Sequence, residues 1–298
     1  MKSEALRKIE SLHPERDAWE IIRLSVFYEF PWDFNRSLEL ALYKTFAVPS
    51  ISAILAKTQE FELHPQKRYD DTDLMLSTII EEGIDSKVAG EVIDRLNWIH
   101  GNYRISNEDY LYVLSTFIFD SAAWINRYGY RRLTTNEELA GFFVWKQIGE
   151  RMHIRDIPDN IIAFKKYHDD YEKAHFVFAE TNVKVARSTE DLMLGWWLPA
   201  FSHEVARPLL HAVMEPHLLK AFGYREPGTL LRSVATSVLR TRSRLERMAP
   251  GKLPYIRTQH HPYKTYPNGH SIEALGPDKI MSSSKCPYRR VKEAMAKG

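Results

Sequence analysis

The stretch Asp85–Thr116, DSKVAGEVIDRLNWIHGNYRISNEDYLYVLST, decides the fold. Either Asp85 or Ser86 can cap a helix, because a side-chain oxygen there accepts from an otherwise unpaired backbone N–H of the first turn. Val88, Val92, Ile93, Leu96, Ile99 and Tyr103 then recur at helical spacing, and His100 falls on the same apolar face, one turn beyond Leu96. Ser106-Asn107-Glu108-Asp109 is an acidic variant of the capping box and opens a second helix through Tyr110, Leu111, Val113, Leu114, Phe117 and Ile118. Two helices joined by a short turn make a hairpin able to enclose a flat cofactor. A histidine on its apolar wall has two readings: a core residue bonded to a carbonyl and a hydroxyl, or a neutral imidazole held as an axial ligand to haem iron. Periodicity alone does not choose between them.

Outward from this hairpin the chain keeps the helical period. Trp19–Phe34 is strongly apolar up to Pro31, and Leu38–Lys57 repeats the pattern with an interruption at Pro49; proline ends or kinks a helix at both places. Gln59–Tyr69 is polar and reads as a loop before a helix Thr72–Glu82 that Gly83 terminates. Taken alone, Asp71-Thr72 is the cap of that helix and Arg68 a loop cation. Thr135 and Glu138 form a capping box for a helix reaching about Met152. Asp156–Asp159 starts another helix through Phe164, Tyr167, Tyr171 and Phe176, and Ser188 with Asp191 caps one that ends before Pro199. Alternation of the strand type is absent, so the expected class is all-α.

The expected organisation is a charged, frayed N-terminal segment (1–18), a helical domain (19–224), a basic amphipathic helix (225–250) and an irregular tail (251–298). In that helix Leu230, Leu231, Val234, Val238 and Leu245 are set against Arg232, Arg240, Arg242, Arg244 and Arg247. It suits either an anionic membrane surface or packing on the bundle with its arginines in water.

Composition removes several function classes. Forty-one basic against thirty-nine acidic residues give a net charge of +2, too little for nucleic-acid binding through the whole-molecule field. Cys286 is the only cysteine, which excludes internal disulfides, cysteine-built zinc or iron–sulfur sites and covalent haem attachment through a Cys-x-x-Cys-His motif. The N-terminus has no apolar signal core, and no run of 18 apolar residues occurs. The expectation is a cytoplasmic protein, or one attached peripherally to a membrane, without signal peptide or spanning helix. HExxH, P-loop, GxSxG and GxGxxG patterns are missing. Two Glu-x-x-His units, Glu150/His153 and Glu172/His175, have the spacing of a di-iron carboxylate bundle, and that is the alternative metal chemistry.

Arg68-Tyr69-Asp70-Asp71-Thr72 followed by His100, together with FPWD, ALYKTFAVPSIS, IHGNYRISNEDYLYVLSTF, GYRRLT and IRDIPD, resembles the oxygenase family that joins the rubber oxygenase of latex-clearing bacteria to the mycophenolic-acid B oxygenases. The mycophenolic branch is the more similar, over roughly Trp19 to Trp197. The resemblance implies an all-α, globin-like domain around haem b that acts with dioxygen on an apolar substrate, isoprenoid or lipid, by oxidative cleavage of a carbon–carbon double bond. It further implies that His100 is the proximal ligand to iron and that Arg68 and Thr72 face the distal side. Asp71 stands where the rubber enzyme carries lysine, and would orient Arg68 or act as a base. The helix before this motif offers only Glu39 near its start, with Glu60 and Glu62 beyond its end, so no general base is assigned. Arg95, about 140° around the helix from His100, is placed for a haem propionate or a neighbouring helix. The second ring nitrogen of His100 is expected to donate to a carbonyl one turn back or to a side chain, fixing its tautomer.

Overall fold

The computed structural model describes residues 3–248, 254–283 and 286–287. Every regular element among them is helical, as expected: α1 Glu4–Ser11, α2 Ala18–Leu24, α3 Pro31–Thr45, α4 Pro49–Thr58, α5 Glu60–Leu63, α6 Pro65–Glu82, α7 Lys87–His100, α8 Asn107–Tyr128, α9 Thr135–Arg151, α10 Ile161–His175, α11 Glu180–Gly195, α12 His203–His211, α13 Pro216–Ala221, α14 Thr229–Met248, α15 Arg257–His260 and α16 Asp278–Met281. Helix α8 is the central rod, packed on α3, α9 and α10. Pro31, Pro49, Pro65 and Pro216 each occupy the first turn of their helix, the one place where a missing N–H costs no helical bond. They set where helices begin, and a single π-helical turn, Ser25–Glu29, joins α2 to α3.

The hairpin forms as its caps dictate. Ser86 accepts from Ala89 N and Ser106 from Asp109 N, both at 3.0 Å, and Val92, Ile93 and Ile99 are buried. His100, however, is the last residue of α7 and Gly101 follows it, so it sits at a helix end. Pro65 starts α6 well before Thr72. Arg68–Thr72 is therefore helical, and Thr72 is no cap. The capping box of α9 is Thr134 with Glu137, one residue earlier than expected, since TTNEE offers both registers. Helix α11 begins at Glu180, and Ser188 lies inside it, donating to the Lys184 carbonyl.

The first and last described segments pack on the core. Ser3 caps α1, Ile9 is fully buried, and Asn136 donates to the Ile9 and Leu12 carbonyls, so this segment is docked where fraying was expected. Residues 254–283 wrap back over α6 and α7 and bury Tyr263, Leu275 and Met281. Among the described residues no single helix is long and apolar enough to cross a membrane; α3 and α4 reach that length only as a pair bent by 98°.

Candidate functional site

Helices α3, α4, α6, α7, α8, α9 and α11 enclose a cavity of about 300 Å³, at the lower end of ligand-pocket sizes of roughly 300–1,000 Å³. Its wall is mostly apolar: Leu38 and Leu42 from α3, Ile54 and Leu55 from α4, Leu96 and Ile99 from α7, Val113, Leu114 and Phe117 from α8, Trp145 and Ile148 from α9, Leu192 and Met193 from α11. Polar residues also line it, His100, Arg68, Thr72, Glu39, Tyr69, Glu60 and Asp109 among them. Arg68 is the only lysine or arginine lining it among the described residues.

His100 reaches this wall from the end of α7, its ring edge-on to Tyr110 at 5.7 Å between centroids. Burial, helped by the nearby Arg68 charge, lowers its pKa to about 4, so the imidazole is neutral near pH 7. Its Nδ1 is buried without a hydrogen-bond partner, so the expected tautomer-fixing bond to a carbonyl is not formed. A buried polar atom left unpaired costs on the order of 1–3 kcal/mol, which a bond to a metal or ligand would recover. Arg68 and Thr72, one turn apart on α6, present one unit to the same cavity. The Arg68 guanidinium donates to Thr72 Oγ1, whose hydroxyl in turn donates to the Arg68 carbonyl at 2.9 Å. Phe61 lies under the guanidinium at 5.6 Å, and burial lowers the pKa of Arg68.

Two residues assigned to the site from sequence are engaged elsewhere. Asp71 does not line the cavity; it accepts from Lys67 Nζ at 2.8 Å, from Gly276 N at 3.1 Å and from the Tyr266 hydroxyl, and its charge acts on Arg68. Arg95, fully buried, donates to the Leu275 carbonyl at 2.6 Å and the Glu273 carbonyl at 2.5 Å. Both hold the C-terminal strap, whose Gly276 and Pro277 complete the cavity wall. Gly276 has φ +115°, and a Cβ there would stand 2.9 Å from Ile99 Cδ1, so this close approach requires glycine.

Glu39 is the carboxylate the sequence left without a role. Its Oε1 accepts from the Tyr69 hydroxyl at 2.5 Å and pairs with Arg36, while its Oε2 is buried without a partner. Burial raises its pKa. Position in α3 alone did not reveal this, because the partner that engages the carboxylate, Tyr69, lies 30 residues away on another helix.

Helices α8 and α10 bring Asp120, His168 and Glu172 together, all buried and with potential ligand atoms within 4.8 Å of one another. The Lys44 ammonium, from α3, already bridges two of them, 2.6 Å from Asp120 and 2.8 Å from Glu172. Glu172, which also receives Tyr112 and His217 at 3.1 and 3.0 Å, keeps its charge, and its pKa falls to about 2 despite burial. Asp120, with fewer donors, is pushed up by burial to about 7. The di-iron alternative fails on this geometry. Glu150 and His153 are exposed at the end of α9, and His175 is exposed while Glu172 points inward. The i,i+3 partner of Glu172 is on the wrong face, and the histidines it meets are His168 and His217.

Residues 38–245 match the family described as ER-bound oxygenase mpaB/B'/Rubber oxygenase, catalytic domain. Among similar proteins, the ER-bound oxygenase mpaB' of Penicillium brevicompactum is 28% identical over 247 residues, which are 76% of this chain and 58% of that protein. The ER-bound oxygenase mpaB of Penicillium roqueforti (strain FM164) is 26% identical over 231 residues, 71% of this chain and 77% of its own length. The mpaB of P. brevicompactum is 28% identical over 182 residues, 55% of this chain and 46% of that protein. The chain thus spans little more than half of the first of these relatives. With the match running across the helices that build the cavity, the chain belongs to the mpaB/B' and rubber oxygenase catalytic-domain family.

Proposed function

We propose that this protein is a haem b-dependent oxygenase that acts with dioxygen on an apolar, isoprenoid or lipid-like substrate. The observation that carries the reading is the neutral His100 on an apolar cavity, with a buried ring nitrogen lacking a partner and with Arg68 and Thr72 on the same wall. The donor set fits a haem in two respects: an unprotonated imidazole for the iron and an apolar surround for the ring. The propionates need a partner other than Arg95. When bound, haem would supply the redox chemistry that activates dioxygen. His100 would hold the iron as a neutral ligand, Arg68 would supply a donor for negative charge developing on oxygen, and the Thr72 hydroxyl would orient that oxygen or pass a proton. Glu39 Oε2, on a carboxyl whose pKa burial raises, is the atom best placed by its environment to accept a proton from substrate. The apolar wall binds the substrate and keeps water out. The reading includes work at a membrane surface, in keeping with relatives named ER-bound.

The test is dioxygen consumption by haem-loaded, reduced protein given long-chain unsaturated substrates. Turnover is expected, and Arg68→Ala should lower it about a hundredfold while haem content stays the same. Full turnover in that variant would contradict the role given to Arg68, and no consumption with any unsaturated lipid would contradict the activity.

A further inference from the structure

Helix α14 turns its apolar stripe outward, not onto the bundle. Arg242 points inward to Asp33, at 2.6 and 2.7 Å, and Arg232 donates to the Met214 carbonyl at 3.0 Å. The apolar residues Leu230, Val234, Val238 and Leu245 face out, between 46 and 79% exposed. They fall within about 80° of one another around the helix, at 100° per residue. Arg240 and Arg244 are exposed along one edge of that stripe and form no ion pair among the described residues. Helix α12 packs on α14, and it and the segment leading into it expose more large apolar groups: Trp197 (84%) and Phe201 (88%) precede α12, while Val205 (84%) and Leu209 lie four residues apart on it. The acidic groups beside them, Asp191 and Glu204, are both paired to Arg207.

Such a concentration of exposed large apolar side chains marks an interaction site. We propose that the outward stripes of α12 and α14 together form a surface that docks on an anionic lipid bilayer. Charge decides the occupant. Unpaired arginines bordering an apolar stripe, with aromatic rings at its end, match a headgroup and acyl-chain boundary. In a symmetric pairing of two copies through this face, those arginines would add like charge at the contact. This inference rests on the reading that the protein works at a membrane, and adds which surface does so.

The experiment is flotation of the full chain with vesicles of phosphatidylcholine alone and of phosphatidylcholine with phosphatidylglycerol, alongside light scattering without lipid. Wild type should float with the anionic vesicles. The triple variant W197S/F201S/V205S should lose about tenfold or more of its partition to them, and R240E/R244E should lose a similar factor on anionic vesicles only. All five positions are exposed, so unchanged circular dichroism confirms folding. Wild-type flotation that the triple variant retains in full would overturn this surface while leaving membrane work intact. No flotation of wild type on either vesicle would overturn both. A wild-type dimer that the triple variant abolishes, without flotation, would identify the face as a self-interface and overturn the lipid assignment.

Discussion

Arg95→Leu isolates the strap. The guanidinium holds residues 273–281 through the Leu275 and Glu273 carbonyls and reaches Met281 Sδ at 3.3 Å, and leucine keeps much of the apolar stem while removing every donor. Hydrogen bonds from a charged donor contribute about 1.5–3 kcal/mol each, so the two carbonyl bonds together hold the strap by an estimated ~3–6 kcal/mol. Other anchors remain, among them Lys67 to the Gly276 carbonyl, Gly276 N to Asp71, Tyr266 to Asp71 and Thr265 N to Asp70. The strap is therefore expected to open locally, with the helices intact. Amide hydrogen exchange reads this directly: protection over residues 263–283 should fall by about a hundredfold, the equivalent of roughly 3 kcal/mol, while α8 changes little. Because Gly276 and Pro277 wall the cavity, substrate entry should quicken in parallel. Strap protection within about threefold of wild type would refute the reasoning.

Lys44→Met removes the ammonium between Asp120 and Glu172, and losing one partner of a buried pair costs about 3–5 kcal/mol. Asp120, already pushed to about 7, escapes part of that cost by taking a proton in acid, so urea unfolding should show a larger loss at pH 8 than at pH 6 by at least ~1 kcal/mol; equal losses at both would contradict the charge assignment. His168 is buried, with its pKa lowered from 6.5 to about 4 mainly by burial. The unfolded chain binds that proton first, so stability is full above pH 6.5 and declines as pH falls toward 4, by an order-of-magnitude ~3 kcal/mol. His168→Gln should flatten the dependence of the urea midpoint on pH across that window, and an unchanged slope would show that His168 titrates normally.

The all-α class, the hairpin and the serine caps were legible because they depend on local chemistry, an oxygen before an apolar period; that Pro31, Pro49 and Pro65 start helices was not, since they were read as interruptions or loop. His100 was legible through its face and through the spacing of the resembled motif. What sequence could not supply was the partner of each polar residue. Arg95 meets carbonyls about 180 residues later and Asp71 a backbone N–H 205 residues later, and no periodicity encodes such pairings. Which of the two orientations α14 takes was hidden for the same reason: Arg242 is held inward by Asp33, a buried acid more than 200 residues upstream, while Arg240 and Arg244 stay exposed. Glu39 was passed over because nothing local distinguishes a cavity-facing glutamate from a solvated one.

The central claim is that His100 holds a haem iron, and the absorption spectrum of haem-loaded protein tests it most directly. Wild type should show a Soret band of histidine-ligated haem. His100→Ala should yield apoprotein, or haem with an altered spectrum that added imidazole partly restores. The same haem content and the same axial-ligand spectrum in His100→Ala as in wild type would contradict the account.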